Sequence, residues 1–106
     1  MRDCVFCKIV KKEIPSEIVE ETDNFVVFKD IKPSAPTHLL IVPKTHYKDV
    51  GGLSDELWAE VRSVALELQK NLKLEGFRLA TNVGDAAMID HAHVHFLGGI
   101  KKDRSV

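Results

Sequence analysis

One stretch of this chain can form a long helix, and the apolar residues around it come in short β-type runs. Ser54 is a good N-cap, and Asp55 and Glu56 suit the positive end of a helix dipole. Leu57, Val61, Val64, Ala65, Leu68 and Leu72 then recur at helical spacing. Trp58 widens that apolar face and Gly76 supplies a stop. Residues 18–21, 25–28, 38–42, 77–83 and 91–97 read as strands, and 5–13 as a brief helix. Thr22-Asp23-Asn24 reads as a turn, and Pro33 and Pro36 stiffen the loop before His38. A sheet with one long and one short helix is an α+β domain.

The length of 106 residues suits one domain over 1–106, and no repeat, linker or low-complexity tract divides it. Hydrophobic residues make up 44% and charged residues 29%, the balance of a globular chain. Lys plus Arg number 15 and Asp plus Glu 16, for a net charge of −1. That argues against a strongly basic nucleic-acid binder and against a polybasic membrane-surface protein, while leaving small anions such as nucleotides open. No apolar run approaches the ~18 residues of a membrane span. The opening Met1-Arg2-Asp3-Cys4 lacks the apolar segment of a signal peptide, so the expected location is cytoplasmic. There, Cys4 and Cys7 are expected to be metal ligands, a redox pair or inert thiols rather than a structural disulfide.

Five histidines carry the functional signal: His38, His46, His91, His93 and His95. Three of them alternate in His91-Ala92-His93-Val94-His95-Phe96-Leu97. On a strand, alternate side chains share a face, so three imidazoles line one side with Ala92, Val94 and Phe96 on the other. A water-exposed polar face is the bland reading of that pattern. Imidazole can attack as a nucleophile, transfer protons or bind metal. Three rings can hold zinc, or divide the work of phosphoryl or nucleotidyl transfer, one attacking and the others holding oxygens.

The motif resembles the histidine-triad signature, His-x-His-x-His followed by two apolar residues. Cys4-Val5-Phe6-Cys7-Lys8-Ile9 with Glu13-Ile14-Pro15 is similar to that family's opening. Asp30-Ile31, Ala35-Pro36-Thr37-His38 and Val42-Pro43-Lys44 with His46 are similar to its centre, and Asn82 and Gly98-Gly99 complete the match. The resemblance implies the histidine-triad fold, an antiparallel sheet with one long and one short helix, in a homodimer paired through the long helix and one strand. It points to the Hint-like branch, hydrolases of nucleoside phosphoramidates acting through a nucleotidyl-histidine intermediate. His93 is then the nucleophile, His95 contacts the α-phosphate, and His91 and His38 support the ring geometry. Ribose contacts fall on Asp30 and Asn82, and a purine pocket on Val5, Phe6, Ile9, Phe28, Ile31 and Leu40. Taken singly, each pocket residue also reads as ordinary core. The expected partner is a purine nucleotide or nucleoside phosphoramidate. Two alternatives are a dinucleoside-polyphosphate hydrolase and a zinc-stabilised nucleotide-binding module with little turnover.

Cys4-x-x-Cys7 is half of a tetrahedral zinc site, weak by itself. In zinc-bearing relatives the resemblance supplies the other ligands at His46 and His91, giving one closed, structural Zn²⁺ per chain. The chain departs from the family's pattern before the triad. Met88 stands where relatives carry a hydroxyl, and it cannot donate a hydrogen bond. Asp90 is also unusual next to His91, and the stretch is shorter than in relatives.

Overall fold

The computed structural model describes residues 4–100. Its elements run α1 (Val5–Val10), β1 (Ile18–Glu21), β2 (Phe25–Lys29), β3 (Thr37–Pro43), α2 (Asp55–Asn71), β4 (Phe77–Ala80) and β5 (Val94–Gly98), with 3-10 turns at Val50–Gly52 and Gly84–Ala86. The strands form one antiparallel sheet in the order β1-β2-β3-β5-β4. This is a single α+β domain, with the antiparallel sheet and the one long and one short helix that the resemblance implies.

Ser54 caps α2 as expected, its hydroxyl accepting from the Leu57 backbone N–H at 3.1 Å. Val61, Val64, Ala65 and Leu68 of that helix bury themselves against Phe25, Val27, Leu39, Ile41, Val94 and Phe96 of the sheet. The alternate residues Val26, Phe28, Leu40 and Val42 face the other way and pack against Phe6 and Ile9 of α1. β2 and β3 are therefore covered on both faces, which explains why their apolar runs are continuous. His38 and His95 lie on the α1 side, since Leu40 pairs with His95 and His38 with Leu97.

Five expectations need correcting. Gly76 does not end α2. The helix caps at Leu72, and Lys73 takes the left-handed conformation at φ 55°. Leu74 N–H then bonds Gln69 C=O and Lys73 N–H bonds Lys70 C=O, a Schellman closure with Leu74 docked on the core. α1 closes in the same way through Lys12 at φ 63°, with Glu13 N–H on Lys8 C=O, so it is shorter than 5–13. Trp58 is 46% exposed and lies outside the packed face of α2. The strand expected at 77–83 stops at Ala80, and that expected at 91–97 begins only at Val94. Its ladder with β3 ends at the Ile41–Val94 pair, close to Pro43, which has no N–H to extend it.

Gly98 and Gly99 close β5 where the chain passes tightly under β3. A Cβ on Gly98 would meet Leu74 Cδ1 at 2.8 Å and Thr37 Cβ at 3.2 Å. Gly99 has φ +76° and its Cβ would meet Pro36 at 2.9 Å. Among the described residues, no helix is long and apolar enough to cross a membrane.

Candidate active site

Although His91, Ala92 and His93 precede the regular strand, the alternation expected of them survives. Phe6 of α1 lies edge-on to both His91 and His93, with ring centroids 5.9 and 5.1 Å away. His93 and His95 are 5.2 Å apart by centroid, and His38 and His95 5.1 Å. Side chains at 91, 93 and 95 thus share the α1 side, while Val94 and Phe96 enter the α2 core. The segment is held from three directions. Ala92 N–H donates to Tyr47 C=O at 2.7 Å, His91 Nε2 meets Pro43 C=O at 2.9 Å, and the Thr81 hydroxyl donates to His93 C=O at 2.7 Å.

Backbone groups decide which nitrogen of each ring carries the proton. A carbonyl can only accept, so the 2.8 Å contact between His93 Nδ1 and His91 C=O puts the proton on Nδ1. The lone pair of His93 is then on Nε2, the atom free to attack. Ser34 N–H donates to His38 Nδ1 at 2.9 Å, so the ring proton of His38 sits on Nε2. That Nε2 is 2.9 Å from His95 Nδ1 and 3.3 Å from Asp30 Oδ2. His95 Nδ1 therefore accepts, and its Nε2–H is left as a donor. Burial, with the His93 and His38 rings beside it, holds His95 below the usual imidazole range, and Asp30 opposes this. The arrangement gives one imidazole lone pair and one imidazole N–H side by side, the pair needed to attack phosphorus while holding one of its oxygens.

Asp30, His38 and His95 also cluster closely enough to suggest a metal. The Ser34 N–H argues against it, because it leaves the His38 Nε2 facing the cluster protonated and without a lone pair.

A second cluster lies beside the first. Cys4 Sγ is 3.2 Å and Cys7 Sγ 3.4 Å from His91 Nδ1, and Cys7 Sγ is 3.2 Å from His46 Nδ1. All four donor atoms lie within 4.8 Å of one another. His91 Nε2–H is spent on Pro43 C=O, which leaves the Nδ1 lone pair facing the sulfurs. A ligating imidazole is ordinarily oriented by such a bond from its far nitrogen. Two thiols and two imidazoles with the right tautomer fit a tetrahedral ion of the zinc type. His91 is fully buried, and burial pushes its imidazole below the usual range against the pull of Pro43 C=O.

The other expected residues divide. Phe6, Ile9, Phe28 and Leu40 are buried in the α1-side core. Val5 is 41% exposed and Ile31, next to Asp30, 91% exposed. Asn82 is exposed past the end of β4, where Thr81 rather than Asn82 is the residue bonded to the triad backbone. Met88 is 99% exposed, and Asp90 is exposed as well. Sequence reading missed Ser34, Thr81 and Asp49, whose carboxylate accepts from both Gly51 and Gly84 N–H. A cavity of about 330 Å³ lies at the start of β3, lined by Val19, Pro33, Pro36 and Leu72 and by the site residues Asp30 and His38.

Residues 11–102 match the HIT domain. The chain belongs to the HIT family. Among curated relatives it is 38% identical over 96 residues to adenosine 5'-monophosphoramidase HNT1 of Saccharomyces cerevisiae, covering 89% of this chain and 61% of that protein. A HIT family hydrolase from Clostridium thermocellum superposes with a TM-score of 0.91 at 35% identity, over 100% of this chain and 98% of that one. A zinc-bound histidine triad family protein from Mycobacterium smegmatis superposes with a TM-score of 0.83 at 30% identity, over 96% and 78% of the two chains.

Proposed function

We propose that this HIT protein is a nucleotide-binding hydrolase of the Hint-like branch, cleaving nucleoside 5'-phosphoramidates through a nucleotidyl intermediate on His93. The observation that carries this reading is the His91 carbonyl on His93 Nδ1, which leaves Nε2 as the attacking atom. The named activity of the HNT1 relative supports the substrate class.

In the first step His93 Nε2 forms a bond to the α-phosphorus as the bond from phosphorus to the amine breaks. The amine departs with a proton. His95 Nε2–H binds a phosphate oxygen, where charge builds, and His38 with Asp30 holds His95 in that tautomer. Water then attacks phosphorus, the bond to His93 breaks, and the nucleoside monophosphate leaves. Asp30 and Asn82 are the proposed ribose contacts. The exposed Ile31 and Val5, backed by Phe6, Ile9, Phe28 and Leu40, are the proposed purine wall. Met88 offers the leaving amine no donor, so amine departure draws on solvent.

Cys4, Cys7, His46 and His91 are the proposed ligands of one structural zinc, which the zinc-bound relative from Mycobacterium smegmatis supports. Such an ion supplies folding energy and pins α1 to the triad segment. It also keeps the ring of His91 out of the chemistry. The protein is further proposed to act as a cytoplasmic homodimer.

The test is His93→Ala. It should abolish hydrolysis of adenosine 5'-phosphoramidate while AMP still binds, since only the attacking atom is removed. Near-normal turnover in that variant would rule out the covalent route.

A further inference from the structure

We propose that Asp30 couples sugar recognition to the chemistry: by accepting from the ribose hydroxyls it hands the single Nε2 proton of His38 to His95, so that a nucleotide's ribose sets the ring that holds its phosphate. His38 has one ring proton and two acceptors for it. Ser34 N–H donates to Nδ1 at 2.9 Å, which places that proton on Nε2. His95 Nδ1 lies 2.9 Å from Nε2, and Asp30 Oδ2 lies 3.3 Å from it. The imidazole has the shorter distance. The carboxylate is the stronger acceptor, since a bond to an ionised group is roughly twice as strong as a neutral one. The two contacts are matched closely enough for a third group to decide between them.

Asp30 is held where it can compete. Its N–H donates to His38 C=O at 3.0 Å, and Lys32 N–H donates to its Oδ1 at 2.8 Å. Both carboxylate oxygens thus face N–H groups, and an asparagine would turn its NH₂ on one of them. The side chain is 18% exposed and lines, with His38, the cavity at the start of β3, so a hydroxyl from outside can reach it.

Asp30 favours a proton on His38 Nε2 in every state, but while its Oδ2 has no other donor it draws that proton away from His95. His95 Nδ1 is then short of a donor, and the ring can carry its proton on Nδ1 instead. Its Nε2 would face the phosphate with a lone pair, which repels an oxygen. A ribose hydroxyl donating to Oδ2 occupies the competing acceptor. The N–H of His38 then goes wholly to His95, whose Nε2–H is fixed as a donor. The sugar contact rests on the function proposed above, whereas the sharing of one proton between Asp30 and His95 does not.

The experiment compares adenosine 5'-phosphoramidate with its 2',3'-dideoxy analogue on the full-length, zinc-loaded protein. We expect kcat on the dideoxy compound to be about tenfold lower, the worth of one hydrogen bond, beyond any change in KM. In imidazole ¹⁵N spectra, saturating AMP should move His95 to the Nε2–H pattern, and saturating 2',3'-dideoxy-AMP should not. Asp30→Ser keeps an acceptor for Lys32 N–H and removes the competing carboxylate. It should raise KM for the ribose substrate and raise kcat on the dideoxy compound toward the wild-type ribose value, a gain that loss of a sugar contact alone does not give. If that variant does not fold, the wild-type kcat ratio and spectra decide. Equal kcat for the two substrates, with the difference confined to KM, overturns the proposal. So do His95 spectra that the two nucleotides change alike. Spectra that separate the two nucleotides in a protein with no hydrolytic activity would instead refute the proposed function and leave the coupling standing.

Discussion

Replacing Thr81 with valine removes one hydrogen bond and very little else. The hydroxyl donates to His93 C=O at 2.7 Å, a short bond made just past the point where β4 stops pairing with β5. Valine has nearly the same shape and suits an extended backbone, so no cavity opens. The carbonyl left behind is partly buried, and an unmade bond of this kind costs ~1–3 kcal/mol. For a domain near this size ~1 kcal/mol moves the melting temperature by about 4–8 °C, so Thr81→Val should melt roughly 4–24 °C lower. The bond also holds the main chain of the proposed nucleophile. Displacement of a reacting group by ~1 Å can cost ~10²-fold, and we expect kcat on adenosine 5'-phosphoramidate to fall roughly ten- to a hundredfold. KM should change little, since Thr81 is not a proposed substrate contact. Thr81→Ser keeps the hydroxyl and should recover most of both losses. Circular-dichroism melts and steady-state kinetics on the three proteins make the comparison. A valine variant that melts with the wild type and keeps its kcat would show that the Thr81 bond does not hold His93.

Three further outcomes are expected. Chelation of the zinc-loaded protein should lower the melting temperature by roughly 10–20 °C, because a metal at ~100 times its Kd adds ~2.7 kcal/mol; identical melts with and without chelator would remove the proposed structural ion. Lys73→Gly should stabilise the fold by up to ~1 kcal/mol in urea titrations, since lysine there adopts a left-handed backbone that glycine adopts freely; a loss of stability would show that the lysine side chain matters more than its φ. In metal-free protein, His91 and His95 are both held below the ordinary imidazole value of 6.5, mainly by burial. The unfolded chain therefore binds more protons once the pH drops past about 6.5, and stability should fall from there toward the folded-state values, staying flat above about pH 7.5. Greater stability at pH 5.5 than at pH 7.5 would contradict this.

The features legible in the sequence were those set by local periodicity. The α2 stripe from Leu57 to Leu68, its Ser54 cap, the short β runs and the period-two face of His91, His93 and His95 all depend on residues within a few positions of one another. The helix ends were misread for an equally local reason. Glycine is the usual left-handed residue, and here Lys12 and Lys73 take that role because the residues after them close the helices on the core.

What the tertiary structure decided is the protonation pattern of the site. Nothing in the spacing of histidines says that the carbonyl of His91 faces His93, that Ser34 N–H faces His38, or that Pro43 C=O, 48 positions away, orients His91. Those partners are main-chain atoms, which every residue type carries alike. They leave no mark in a sequence, and only the folded path of the chain brings them to the rings.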